Sequence, residues 1–118
     1  MSNNVCECPN PPGGTVICEP DQLAICHVKD GKAIQRCLDP VDSMNPYVII
    51  NWTLNRILDR EFKPRSKRTI KKYIKRLEAG NLTTIGGTKV SFSLPKTVQK
   101  ALNQIKNDRS NPDKPYLE

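Results

Sequence analysis

Five cysteines, Cys6, Cys8, Cys18, Cys26 and Cys37, fall in the spacing C-x-C-x9-C-x7-C-x10-C. Thiolates are soft metal ligands, and this set offers more of them than a tetrahedral zinc site needs. A zinc ribbon would carry two C-x2–4-C pairs, which this spacing lacks. A C-x-C arm folded over a sheet bearing Cys18, Cys26 and Cys37 could still complete a four-thiolate site. About 40 residues with few large apolar groups bury too little surface to fold unaided, so a metal or cross-link is expected. Structural zinc is therefore the expected cofactor, with all five cysteines as candidate ligands. Two other readings stay open: cysteines as small buried hydrophobes, and disulfide or thiol-redox chemistry. Glu7, between Cys6 and Cys8, would raise a thiol pKa rather than activate one.

The second chemistry-bearing stretch is "KPRSKRTIKKYIKRLEAGNL", residues 63–82, with eight basic side chains. Helical spacing puts Ile70, Tyr73, Ile74 and Leu77 on an arc about 100° wide, the mark of a helix resting on a core. Arg68, Lys71, Lys72 and Lys75 lie across from it with no acid among them. Solvated faces usually mix signs, because like charges one turn apart repel by a few tenths of a kcal/mol. A uniformly cationic face suits a polyanion that releases counterions on binding.

The run from Ser66 to Leu82, followed by "TTIGGTKVSF", resembles the recognition helix and wing of winged helix-turn-helix DNA-binding domains. The resemblance covers residues 66–94, about a quarter of the chain. It implies duplex DNA as partner, Arg68, Thr69, Lys71, Lys72 and Lys75 facing the major groove, Ser66 as the helix cap, and Lys89 as a wing contact to phosphate. Beside the resemblance, Arg65 and Lys67 belong to the same basic stretch and are further candidate contacts. One departure is visible. The family places two helices before the recognition helix, whereas "PYVIINWTLNRILDREF" reads as one helix, so either it breaks near Asn55 or the three-helix core is incomplete.

These residues must be positioned by elements legible in the pattern. Asp30-Gly31 signals a two-residue hairpin. Its register pairs Lys29 with Lys32, Val28 with Ala33, Cys26 with Gln35 and Ala24 with Cys37, which puts Cys26 and Cys37 on one face and His27 on the other. "TVICE" is a third strand for that sheet, entered through "NPPGG". His27, the single histidine, reads as a surface residue. Asn45 and Pro46 open a helix that Pro64 ends; Gly80-Asn81 stops the basic helix; Gly86-Gly87 turns a hairpin; Pro95 opens a last helix with Val98, Ala101, Leu102 and Ile105 inward.

The expected architecture is α+β, with a cysteine-rich three-stranded β module over 1–40, a linker over 41–46, a winged-helix-like helix-helix-hairpin-helix domain over 47–107 and a loose tail over 108–118. Leu117-Glu118 has the look of an expression scar and carries no weight. The net charge of +7 is unevenly placed: residues 1–55 hold three basic and six acidic groups, residues 56–118 sixteen and six. No apolar run spans a bilayer and the polar start MSNN is no signal peptide, so a cytoplasmic protein without a membrane partner is expected. No phosphate-binding glycine loop, catalytic triad or acidic pair appears, which points away from an enzyme. Composition allows a second partner class, an acidic protein docked on the basic face of an adapter.

Overall fold

The structure is a computed structural model and describes residues 2–115. Strands β1 (Asn4–Glu7) and β2 (Thr15–Cys18) form a hairpin. Strands β3 (Leu23–Lys29) and β4 (Lys32–Leu38) form a second, in the expected register from Leu23 opposite Leu38 to Lys29 opposite Lys32. Helix α1 spans Pro46–Leu58; short helices α2 (Lys67–Lys71) and α3 (Ile74–Ala79) follow; β5 (Asn81–Thr83) and β6 (Lys89–Ser93) form a third hairpin; α4 spans Lys96–Lys106. The class is mixed α+β.

The larger sheet has the order β4-β3-β6-β5. It therefore joins the cysteine-bearing segment to the hairpin after the basic helix, with Val28 opposite Lys89 and Ala24 opposite Ser93. Three layers result. Leu23 and Ile25 of β3, with Val90 and Phe92 of β6, share a core with the helices, where Ile50, Leu54, Ile70, Val98 and Ile105 are sealed from solvent. From the opposite face Ala24, Cys26 and Val28 meet Cys6, Cys8, Val16 and Cys18 of the small hairpin. Alternate side chains of one strand thus serve two cores, and six successive residues, Leu23 to Val28, are buried. Truncating a core leucine such as Leu54 to alanine would cost about 2–5 kcal/mol.

β2 does not extend the β3–β4 sheet as a third strand. It pairs with β1, and the two-stranded layer lies across the larger sheet. Asn4 ties this layer down: its Nδ2 donates to Gln22 O at 2.7 Å and Ser93 O at 2.8 Å, and Ser93 Oγ donates back to Asn4 Oδ1 at 2.5 Å.

The zinc expectation is overturned. Cys8 is bonded to Cys26 and Cys18 to Cys37, both as disulfides, so four of the five proposed ligands have no thiolate to offer. The fifth, Cys6, is a free buried thiol among the described residues. No group of three or more His, Cys, Asp or Glu side chains placed to hold a metal occurs among the described residues. The need for a cross-link was read correctly and its chemistry was not. The same bonds overturn the cytoplasmic expectation, because disulfides form and persist under oxidising conditions. Among the described residues no helix is long and apolar enough to cross a membrane.

α1 starts where the sequence indicates. The side chain of Asn45 accepts a hydrogen bond from Tyr47 N at 3.0 Å, and Pro46 takes the first helical position. It runs unbroken through Asn55 and stops at Asp59, whose φ of 51° is left-handed, rather than continuing to Pro64. Asn55 does not break the helix; its Oδ1 accepts from Phe62 N and folds the following loop back. His27 lies on the predicted face but is buried, with Nε2–H donating to Ile57 O at 3.0 Å. It satisfies a carbonyl that the last turn of α1 leaves without a helical partner.

Candidate polyanion-binding surface

The basic segment does not form one regular helix. Between α2 and α3 the ladder tightens, with Tyr73 N bonded to Ile70 O at 3.0 Å, before Leu77 N resumes the helical pattern to Tyr73 O at 3.0 Å. At this tightening the Tyr73 ring meets Phe62 edge-on, centroids 5.1 Å apart. The apolar stripe is as expected: Ile70 and Leu77 are buried, and Tyr73 and Ile74 are half-buried. Gly80, with φ of 77°, ends α3 in the left-handed conformation a side chain would strain.

The cationic side divides in two. At the start of α2 the chain's own residues 108–114 cover it. Lys67 N donates to Lys114 O at 3.2 Å and Arg68 N to Pro112 O at 2.8 Å. These first-turn N–H groups need outside acceptors, and Ser66, although extended, makes no side-chain cap. Lys67 Nζ donates to Ser110 Oγ at 2.9 Å, lies 3.4 Å from Asp108 Oδ2 and sits over the Tyr47 ring. Arg68 Nε donates to Asp113 Oδ1 at 2.9 Å, and Lys71 Nζ to Asp108 O at 2.8 Å. The segment expected as a loose tail is thus hydrogen-bonded down as far as Lys114. Its last three residues, Leu117-Glu118 included, lie outside the described residues.

Charge states follow the contacts. The hydrogen bond from the Tyr47 hydroxyl, with help from Ser110, holds the Asp108 carboxyl well below the usual carboxylate range. Burial first, and then Asp108, push the Tyr47 phenol up. Arg68 lowers the Asp113 pKa and Asp113 raises that of Arg68, through their hydrogen bond and then their charges. Both groups are solvent-exposed, so the pair contributes little to stability.

The other part of the surface is open. Lys72 and Lys75 are exposed and have no ion-pair partner among the described residues; the same holds for Arg65 before α2 and Lys89 on β6. Thr69 is half-buried. Arg76, which the sequence reading passed over, stacks on Tyr73 at 5.4 Å from the ring centroid. Its signal was present three residues after an aromatic on the same helix.

In the cysteine layer, the free Cys6 thiol is pushed up to about 11, by burial and then by the Glu7 charge. A thiol so placed is a poor nucleophile at neutral pH.

No protein-family model, curated protein or solved structure matches the chain.

Proposed function

We propose that the protein is a binding module that takes a polyanion, duplex nucleic acid, on the open cationic face of α2 and α3. The observation that carries this reading is the pair Lys72, in the turn between α2 and α3, and Lys75 of α3, both exposed and without an ion-pair partner among the described residues. Like charges held this way repel, and phosphates relieve the repulsion while releasing counterions. Arg76, stiffened by Tyr73, adds a third cation.

The winged-helix reading is the finer form of this proposal. In its favour the β5–β6 hairpin follows α3 directly, as a wing would, and carries Lys89. Against a full match, α1 is one helix and β6 pairs with β3 as well as β5. In that reading Arg68 and Lys71 would have to exchange Asp113 and the Asp108 carbonyl for phosphate.

Fluorescence anisotropy with a labelled duplex tests the proposal. Three phosphate contacts give a log–log salt slope of roughly −2.7, and the double variant Lys72→Glu with Lys75→Glu abolishes binding at low salt. Absence of duplex binding by the unsubstituted chain at low ionic strength rejects it.

A second reading has its own support. Two carboxylates of another segment, Asp108 and Asp113 in the chain's own residues 108–113, already engage Lys67 and Arg68 at the start of α2. An adapter that docks an acidic protein on this surface would show no duplex affinity at any salt concentration.

A further inference from the structure

β4 is an outer strand of its sheet, paired along one side with β3. The turn Asp30-Gly31 decides which of its atoms face outward. Both turn residues have positive φ, 53° and 75°, so Lys29 and Lys32 close the hairpin as a hydrogen-bonded pair, and Ile34 and Arg36 follow in alternation. The N–H and C=O groups of Ala33, Gln35 and Cys37 then point away from the sheet. All three residues are exposed, and no other strand, turn or loop backbone among the described residues pairs with them.

This edge is pinned from behind. Cys37 is disulfide-bonded to Cys18 of β2, and Gln35 Nε2 contacts Cys8 Sγ at 3.7 Å. A strand fixed in this way loses little freedom when another pairs with it. On the opposite face Lys32, Ile34 and Arg36 stand in a row. Ile34 is 53 % exposed and lines an open groove of about 480 Å³, bounded by Leu58 and Asp59 at the end of α1 and by the β5–β6 loop. Among the described residues, the ion pair Arg36 makes is an exposed contact to Asp59 at 3.9 Å. Charges on an outer strand normally deter pairing, but two cations flanking an isoleucine deter basic strands and favour acidic ones.

We propose that β4 is a docking edge for an extended segment of a partner protein, in which an apolar residue is flanked two positions to either side by acidic residues. The backbone of that segment pairs with Ala33, Gln35 and Cys37, its apolar side chain meets Ile34 at the groove, and its carboxylates meet Lys32 and Arg36. A second copy of this chain fits worse. Each copy carries a net +7, and pairing with Ile34 opposite Ile34 sets Lys32 against Arg36. The inference goes beyond the α2–α3 reading and uses none of its residues.

The probe is the capped peptide Thr-Glu-Thr-Val-Thr-Glu-Thr, added to the isotopically labelled full chain and followed by NMR. The result expected is saturable shifts at the β4 backbone amides, with roughly tenfold weaker binding when the peptide's two glutamates become lysine. The same loss is expected when the chain carries Lys32→Glu and Arg36→Glu, surface changes that leave both cores untouched. Ala33→Pro removes one outward N–H and should also weaken binding; if it unfolds the chain, the charge variants still decide. No shift at β4 with millimolar peptide overturns the proposal, as does equal binding of the lysine peptide, a peptide-independent dimer through β4, or peptide shifts confined to α2. None of these outcomes alters the duplex titration.

Discussion

Arg68 Nε lies 2.9 Å from Asp113 Oδ1, so a guanidinium on the basic helix is already held by a carboxylate from the far end of the chain. A charge that composition counts as available is engaged, and the same segment engages Lys67 and Lys71.

Loosening that contact should strengthen duplex binding. Asp113→Asn removes a carboxylate that competes for Arg68, and because exposed pairs of this kind are worth about 0.2–1 kcal/mol, the gain should be roughly threefold. Anisotropy titrations of the variant beside the unsubstituted chain read it directly, and unchanged affinity would place Arg68 outside the surface that meets phosphate.

Acid should release the same segment. The Asp108 and Asp113 carboxyls titrate below their ordinary value of 3.8 when docked. Depressed acids stabilise the docked state fully above that ordinary value, and the contribution is lost as pH falls through the lower docked values. The Arg68 side-chain N–H resonance should therefore hold its shift from pH 7 to about pH 5 and move toward its free position below about pH 4.

Reduction should find one disulfide first. The sequence separations are 18 and 19, so loop closure favours neither, and each should contribute about 3 kcal/mol. Access differs: Cys37 is exposed, whereas Cys8 and Cys26 are buried. Graded phosphine treatment with mass-spectrometric mapping should open Cys18–Cys37 before Cys8–Cys26, full reduction should lower Tm, and a chelator should leave Tm unchanged. Cys6 should resist alkylation at pH 8, where roughly one thiol in a thousand is ionised, and react once guanidine unfolds the chain.

His27→Phe should destabilise by about 1–3 kcal/mol, because the Ile57 carbonyl loses its donor in a buried place. Urea unfolding measures the difference. If the variant unfolds at the same midpoint, the bond from Nε2 contributes nothing net.

Features fixed by neighbouring residues were legible. Asp30-Gly31 sets the β3–β4 register because two successive left-handed positions admit few residue types, and Asn45-Pro46 marks the start of α1 because the cap and the first helical position have specific chemistry. What was hidden depends on residues far apart. Nothing within Leu23–Lys29 names Lys89–Ser93 as its second partner, so alternation suggested one buried face where there are two, and His27 was placed in solvent. The number of cysteines, more than a four-thiolate site needs, suggested a metal although their spacing did not, because the proximity between strands of different sheets that decides in favour of disulfides has no local signature. Residues 108–114 read as loose because their anchors are ionic and backbone contacts, which polar composition cannot distinguish from solvation.

β3 belongs equally to both halves of the molecule. Severing the chain in the turn-rich stretch 41–46 would leave the helices without the floor they rest on, and would bare to water the isoleucine and leucine on which they rest. The two compositional halves should therefore unfold together in one cooperative transition, and neither should survive as a separately expressed fragment.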